Sequence, residues 1–252
     1  MRQPNKKTGI EKNMITCNSK EILPAPDSFS PRASCWRTGL LLVLLSALLL
    51  PGCGKDNPKL KKELEGLKSA SATERANALL HLADMGAAAK PAGPRAVELL
   101  KDPDMQVKTA AIKLIVTLKH KTPEALAGVG ALAGSAEDDD LRGAALNALM
   151  ALDAHEEHAM ACAELLGSKI ERLRELGSQG LAQANEHAVV AKTQLIAGLD
   201  DKLPYVKANC ATALGNLGSN APPEAKDKLT ALLKDPEPMV VDEAKKALEK
   251  IK

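Results

Sequence analysis

Three histidines are the side chains of this sequence best suited to binding a metal ion. His155 and His158 stand three residues apart in the run His155-Glu156-Glu157-His158, a spacing that puts both imidazoles on one face of a helix. His187 opens a later apolar segment and is the third candidate ligand. No third ligand follows His155 and His158 at a set spacing, so His187 would have to come near them through the fold. The sequence therefore favours a solvated first helical turn, whose glutamates complement the helix dipole, over a metal centre.

A row of five basic residues is the most systematic polar feature of the chain. It consists of Arg75, Lys108, Arg142, Arg174 and Lys207. Such a row can receive phosphate or an acidic partner, or it can pair with acidic residues on neighbouring helical turns. The acidic residues placed for such pairing are Asp104, Asp140, Glu171 and Asp201. We favour the structural role, because the part of the chain that folds carries slightly more acidic than basic side chains.

Four consecutive acidic residues, Glu137 to Asp140, are the strongest candidates for a calcium site. They lack the alternating oxygen donors and the glycine of a calcium loop. Capping of a helix N-terminus and interaction with its dipole explain such a run without a ligand.

Catalysis has little support in the sequence. No nucleophile–base pair, glycine-rich phosphate loop or pair of catalytic carboxylates stands out. Cys210 occupies a small core position and Cys162 lies in the middle of an apolar segment, so both are predicted to be buried thiols. The sequence therefore predicts a protein without enzymatic activity and without a cofactor.

These side chains are carried by a helical stripe that returns about every 33 residues. Its six starting residues are Glu74, Val107, Leu141, Leu173, Val206 and Val240. Four residues after each start stands a small residue: Ala78, Ala111, Ala145, Gly177, Cys210 and Ala244. Eight residues after each start stands a large aliphatic one: Leu82, Ile115, Leu149, Leu181, Leu214 and Leu248. Because offsets of 4 and 8 share one helix face, the period predicts a stacked array of helical repeats.

A second apolar segment precedes each stripe, and short breakers rich in aspartate, serine, proline and glycine separate the two. Ser71 with Glu74 and Ser168 with Glu171 have the spacing of capping boxes, which mark helix starts. The chain is therefore predicted to be all-α, without strands. The predicted helical hairpins cover 58–86, 90–119, 122–152, 154–184, 186–217 and 222–252.

This pattern resembles the HEAT repeats, in particular their short bacterial form known as phycobilisome-lyase HEAT-like repeats. The resemblance is carried by Asp-Pro-Asp-Met-Gln-Val-Lys-Thr-Ala-Ala at 102–111 and Pro-Tyr-Val-Lys-Ala-Asn-Cys-Ala-Thr-Ala-Leu-Gly-Asn-Leu-Gly at 204–218. It covers nearly all of 58–252 and implies a right-handed α-solenoid of about six HEAT-like hairpins. It also implies that the basic row is a ladder pairing with acidic residues of neighbouring turns. The fourth unit departs most, because Gly177 and Gly180 are each expected to weaken its second helix by about 1 kcal/mol relative to alanine.

The first 52 residues read as a targeting segment. Residues 39–50 form an apolar run that is shorter than the roughly 17–25 residues needed to span a bilayer, and it follows Arg32 and Arg37. The run ends in Leu50-Pro51-Gly52-Cys53, which resembles a bacterial lipobox. The resemblance implies cleavage before Cys53 and lipidation of that residue.

Three regions follow from this interpretation. They are a removed leader over 1–52, a lipidated tether over 53–57 and the repeat domain over 58–252. Gly54 is not the aspartate that favours inner-membrane retention in the lipoprotein pattern. The sequence therefore predicts anchoring in the cell envelope, at the outer membrane rather than the inner one.

The composition of the remaining chain argues against nucleic-acid binding. Seven of the 34 basic and three of the 32 acidic residues leave with the leader, so the remainder has a net charge of −2. Tyr205 is then the only aromatic residue left, whereas proteins that bind single strands stack bases on aromatic side chains.

A membrane-anchored, non-catalytic scaffold that binds proteins on the concave face of the solenoid is the function that the sequence favours. The alternative is a helper resembling the phycobilin lyases, which share these repeats. That alternative requires a chromophore pocket with aromatic residues and a cytoplasmic location, and the sequence indicates neither.

Overall fold

The computed structural model describes residues 57–251, and within this range the chain is helical and contains no strand. Asp56–Lys252 forms one compact unit. The leader, Cys53 and the tether up to residue 56 lie outside the described residues. In the described part, no helix is long and apolar enough to cross a membrane.

The helices form six consecutive hairpins, each with a first and a second helix. The first helices are α1 (Pro58–Gly66), α3 (Gly93–Leu99), α5 (Pro123–Ser135), α7 (His155–Leu166), α9 (Lys192–Gly198) and α11 (Glu224–Leu232). The second helices are α2 (Ala72–Met85), α4 (Met105–Leu118), α6 (Asp139–Ala151), α8 (Glu171–Gln183), α10 (Pro204–Leu217) and α12 (Pro238–Lys250). Short 3₁₀ segments, Gly86–Ala92 and Asn185–Ala191, lead into α3 and α9. The predicted fold class, an all-α solenoid of helical hairpins, is confirmed.

The core consists of the residues that the repeating stripe places on one face of the second helices. The small residue four positions after each stripe start is buried in all six units. The aliphatic residue eight positions after the start is buried in the first five, and Leu248 in α12, the last described helix, is half-buried. At the other end Glu74 is exposed. A single hairpin cannot enclose its own apolar face, so each unit is buried by its neighbours.

Of the two predicted capping boxes, the structure has an N-cap at Ser71 but not at Ser168. Ser71 is the N-cap of α2, and its Oγ accepts a hydrogen bond from the Glu74 N–H over 3.4 Å. The box at Ser168 is wrong, because α8 starts later and its N-cap is Ile170. The Ser168 hydroxyl instead accepts a hydrogen bond from the Ile170 N–H over 3.1 Å, which tightens the turn before the helix.

The packing changes at the junction between the third and fourth hairpins. At the other four junctions successive second helices lie side by side, but α6 and α8 are barely in contact. The first helices α5 and α7 pack closely there instead. Helix α5 is rich in alanine and glycine, and Gly134 lies directly against the Glu164 side chain of α7. The absence of side chains on this face of α5 lets α7 approach it.

Helix α8 packs tightly onto α7 through the two glycines that were expected only to weaken it. A Cβ atom added at Gly177 would lie 2.5 Å from the Cys162 carbonyl oxygen and 2.5 Å from the Leu166 nitrogen. A Cβ atom added at Gly180 would overlap the Cys162 sulfur. The sequence prediction for these glycines was therefore incomplete. Their helix-propensity cost accompanies a backbone approach that no other residue permits.

Candidate interaction surface

Three of the five basic residues connect their own hairpin to the next one. Arg75 donates from Nε and Nη2 to Asp102, both over 2.8 Å. Arg174 binds Asp201 in the same way, over 2.6 and 3.3 Å, and Lys207 pairs with Asp235. Each of these aspartates stands two residues before the N-cap of the following second helix. We call these three ion pairs the rungs.

The two arginines of the rungs, Arg75 and Arg174, also donate hydrogen bonds to the turn inside their own hairpins. The Nη1 of Arg75 donates to the carbonyls of Ser69 and Ala70, both over 3.0 Å. Arg174 makes the equivalent bonds to Ser168 and Lys169. The guanidinium therefore joins two turns at once, which a lysine ammonium does less well because it lacks the planar fork.

The acidic partners differ from those expected, except for Asp201. Asp104 is the N-cap of α4 and accepts hydrogen bonds from the backbone N–H groups of Gln106 and Val107. Asp140 and Glu171 form no ion pair among the described residues. The true partners lie 27 or 28 residues beyond the basic residue, in the turn of the next unit.

Two of the five basic residues do not form a rung. The position that would face Lys108 holds Ala136, and the position that would face Arg142 holds Ser168. Arg142 is buried and bonds to Asp139 and to the Ala136 carbonyl within its own unit. Its Nε, the atom that binds aspartate in the arginine rungs, has no hydrogen-bond partner among the described residues. The ladder is thus interrupted on both sides of the third hairpin.

The rungs predict a pH-dependent contribution to stability. The hydrogen bonds from Arg174 and from the Leu203 N–H outweigh burial and hold the pKa of Asp201 below its ordinary value of 3.8. A carboxylate whose pKa is lowered by folding stabilises the folded chain above its unfolded pKa, and loses that contribution as the pH falls through the folded value. Asp201→Asn is expected to lower the free energy of unfolding by about 1–3 kcal/mol at pH 7.

Urea denaturation at pH 7 and at pH 3 tests this expectation. The difference between Asp201→Asn and the unsubstituted chain should shrink at the lower pH. Asp242→Asn is the matched control, because the Asp242–Lys245 pair is exposed and should contribute at most about 1 kcal/mol. Equal losses from the two substitutions would contradict the bridging role of Asp201.

The three candidate metal ligands lie around one cleft but do not converge. The rings of His155 and His187 are stacked, with centroids 5.2 Å apart and planes inclined by 27°. His158 lines the same cleft, of about 370 Å³, together with Met150. Stacked rings present faces to each other rather than two nitrogen lone pairs to a common point. In the described range, no group of three or more histidine, cysteine or acidic side chains is arranged to hold a metal ion.

The two described cysteines are buried and unpaired. Burial raises the pKa of Cys162 to about 12, and burial with the nearby Asp201 charge raises the pKa of Cys210 as well. Burial also lowers the pKa of His158, whose ring nitrogens are 3.9 Å from the Cys162 sulfur. A neutral imidazole beside a thiol of such high pKa does not form a reactive thiolate.

The surface that the second helices form, which we call the second-helix face, has different polar contacts in its N-terminal and C-terminal halves. In units four to six its polar groups bond to each other across neighbouring helices. Asn209 donates to the Ser178 hydroxyl over 3.1 Å, and Thr212 donates to Glu243 over 2.9 Å. Asn216 donates to the Ala182 carbonyl and accepts from Lys250. These bonds leave fewer polar groups for a partner.

In units one to three the same face contains a groove of about 380 Å³ across α2, α4 and α6. Among the described residues, no side-chain hydrogen bond joins α2 to α4 or α4 to α6 here. The groove is lined by Thr73, Ala76, Asn77, Leu80, Met105, Gln106, Thr109, Ala110, Lys113, Asp138, Asp140 and Leu141. We call it the N-terminal groove. We take it as the candidate binding site, because it lies on the face of the second helices and its lining is largely apolar.

Sequence reasoning missed this groove, although one signal was available. Leu80 stands six residues after its stripe start and Met105 two residues before the next start, so neither belongs to the repeating stripe. Leu80 is partly buried against the core, whereas an apolar residue at the position of Met105 is exposed unless a partner covers it. Met105 is 46% exposed.

Comparison with known proteins supports the repeat nature of the chain. Residues 193–252 match the family model described as HEAT repeats. No curated protein matches the chain.

Several solved structures resemble it at low identity and with TM-scores below 0.5. A designed armadillo repeat protein in complex with the peptide (KR)4 is 19% identical, with 77% of this chain and 99% of that chain covered, at a TM-score of 0.49. A computationally designed armadillo repeat protein for modular peptide recognition is 18% identical, covering 77% and 100%, at 0.47. Human deoxyhypusine hydroxylase is 20% identical, covering 76% and 83%, at 0.33.

Proposed function

We propose that this protein is a membrane-anchored, non-catalytic scaffold that binds other proteins through the N-terminal half of its second-helix face. The N-terminal groove is the observation that carries the proposal. It is an open, largely apolar depression on a rigid stack of helices, and such exposed apolar surfaces mark interaction sites. The solenoid fold supports a binding role, since stacked repeats form extended surfaces for partners.

The proposed anchor is a lipid on Cys53, in the cell envelope of a bacterium. The lipobox-like run ending at Cys53 supports it. Two or more acyl chains hold a protein stably on a bilayer, where a single chain gives only marginal binding. From Gly54 to Pro58 the tether reaches at most about 15–18 Å. The solenoid would therefore lie close to the membrane surface, the outer membrane in our proposal, and meet membrane-proximal partners.

Binding is tested by affinity capture of the lipidated protein from membranes, followed by mass spectrometry. Met105→Asp places a charge in the N-terminal groove and should remove the specific partners. Met160→Asp is the matched control, because Met160 is 50% exposed but lies on the first helix α7. Partners that survive Met105→Asp and are lost with Met160→Asp would place the binding surface on the opposite side of the solenoid.

The anchor is tested separately by labelling with palmitate and fractionating the cells. Cys53→Ser should abolish labelling and release the chain from membranes. If the Cys53→Ser chain still carries label, or fractionates with membranes like the unsubstituted one, the lipoprotein proposal is wrong. The binding proposal would stand in that case, because it depends on the solenoid and not on the lipid.

A further inference from the structure

We infer that the N-terminal groove binds an extended segment of a partner protein in which a large apolar side chain lies between a basic and an acidic side chain. This inference rests on the proposed function and specifies the chemistry of its partner. It is drawn from the floor of the groove, from two charges at its edges and from the free polar groups beside them.

The floor of the groove is apolar and open. Ala76 and Leu80 of α2, Met105 and Ala110 of α4, and Leu141 of α6 contribute to it. Burying one leucine-sized side chain removes apolar surface from water on both partners, which is the main source of affinity available here. The flexible thioether of Met105 can adapt to side chains of different shape. The floor therefore selects a large apolar residue without requiring one particular type.

Two charges of opposite sign line the groove without partners. Lys113 of α4 and Asp140 of α6 form neither an ion pair nor a side-chain hydrogen bond with any other residue of the range 57–251. This differs from the other end of the second-helix face, where Glu243 pairs with Lys246 and accepts a bond from Thr212. Asp138 adds negative charge on the side of Asp140, although its carboxylate also caps α6. The groove thus favours a basic side chain near Asp140 and an acidic one near Lys113.

The positions of these two residues set the spacing of the partner's charges. Asp140 stands one residue before its stripe start and Lys113 stands six residues after the preceding start. The two residues therefore differ by about seven helical positions, which corresponds to roughly 10 Å along the helix axis. Neighbouring helix axes are about 8–10 Å apart, so the diagonal is roughly 13 Å. An extended chain covers this distance in about four residues. The expected pattern is a basic residue, a spacer, the apolar residue, a spacer and an acidic residue.

An extended segment fits better than a helix. The depression has a volume of about 380 Å³, and an extended segment crosses the distance of roughly 13 Å between Lys113 and Asp140 in about four residues, with its first, third and fifth side chains on one face. An extended segment also brings unpaired backbone N–H and C=O groups, which need partners when they are buried. The amides of Asn77 and Gln106 line the groove and make no side-chain hydrogen bond to another described residue. They can donate to and accept from that backbone.

The test compares three fluorescein-labelled peptides by fluorescence anisotropy, with the full chain held in detergent. Their central sequences are Lys-Ser-Leu-Ser-Glu, Lys-Ser-Leu-Ser-Lys and Glu-Ser-Leu-Ser-Glu. Because each comparison changes only charge, it does not depend on the direction in which the peptide runs. The mixed-charge peptide should bind about fivefold more tightly than either of the others.

Charge reversal in the protein should change this order predictably. Lys113→Glu leaves two acidic edges and should prefer the peptide with two lysines. Asp140→Lys leaves two basic edges and should prefer the peptide with two glutamates. Asp242→Lys is the control, because Asp242 is an exposed residue of α12, and it should keep the original order.

Three outcomes would overturn the inference. They are equal binding of the three peptides by the unsubstituted chain, an order that stays the same in both charge-reversal variants, and binding that Met105→Asp does not weaken. If partners captured from membranes are nevertheless lost with Met105→Asp, the proposed function stands and only the partner chemistry is wrong. If neither experiment responds to Met105→Asp, the groove is not the binding surface and both proposals fail.

Discussion

Leu149→Asp is expected to lower the free energy of unfolding by about 4 kcal/mol or more, the largest effect of any single substitution proposed for this protein. Leu149 lies in α6 and is fully buried in the core. An aspartate there would be an unpaired charge among apolar side chains, which costs several kcal/mol or forces the local packing apart. The loss of the leucine side chain adds a cavity cost of its own.

Urea denaturation followed by far-ultraviolet circular dichroism measures this effect. Lys250→Asp is the control, because Lys250 is exposed at the end of α12 and, within residues 57–251, its side chain bonds only to Asn216. We expect that substitution to change the unfolding free energy by less than about 1 kcal/mol. Similar denaturation midpoints for the two variants would show that the buried face of α6 has been assigned incorrectly.

Gly177→Ala is expected to destabilise the chain by about 1–3 kcal/mol, although alanine is the better helix former. The added methyl group would stand 2.5 Å from backbone atoms of α7, which cannot move aside like the end of a flexible side chain. Helix α8 would have to shift away from α7, and the contacts along that hairpin would loosen. A loss of stability would therefore show that tertiary packing outweighs helix propensity at this position, and a gain would show the reverse.

Gly143→Ala is the matched control for this prediction. Gly143 lies inside α6, one unit earlier, and a Cβ atom added there meets nothing within 4 Å. Alanine should stabilise the chain at this position by about 0.5–1 kcal/mol, through propensity alone. Thermal unfolding of both variants would compare them directly. An increase in melting temperature for Gly177→Ala would mean that α8 does not contact the backbone of α7.

The two glycines of α8 also bear on the junction between the third and fourth hairpins. They allow α8 to lie against α7, while the small residues of α5 allow α7 to lie against α5. The first helices hold this junction together, and Met150 of α6 and Leu176 of α8 are left 47% and 37% exposed.

The missing rung at Arg142 lies at this same junction between the third and fourth hairpins. Ser168→Asp would restore an acidic group opposite Arg142, at the position of Asp102, Asp201 and Asp235 in the other turns.

Much of the fold follows from the sequence, because its determinants recur locally. The stripe positions such as Ala111 and Ile115 repeat at helical spacing, and breakers separate the helices of every hairpin. Any chain with this pattern must bury the same face, and stacking is the only way for short hairpins to do so. For the same reason the basic row was visible from spacing alone.

The partners of the basic row were decided by tertiary structure. Asp102 and Asp104 are equally acidic and almost adjacent, yet one bridges two hairpins and the other caps a helix. The difference depends on where the next turn lies in space, and its residues are 27 positions away from Arg75. Local spacing does not contain that information.

The candidate site, too, was determined partly by the sequence and partly by the tertiary structure. The sequence determined that the protein is a stack of helices with few aromatic anchors, and it predicted binding on the concave face without indicating which residues form the binding surface. Only the stacking decided that Leu80, Met105 and Leu141, from three different hairpins, line one groove with Lys113 and Asp140 at its edges. Only the stacking decided that the polar groups of the later units bond to each other. The physical reason is that periodicity fixes which face of each helix is buried, whereas the contacts between helices are set by how closely individual residues such as Gly177 let them approach.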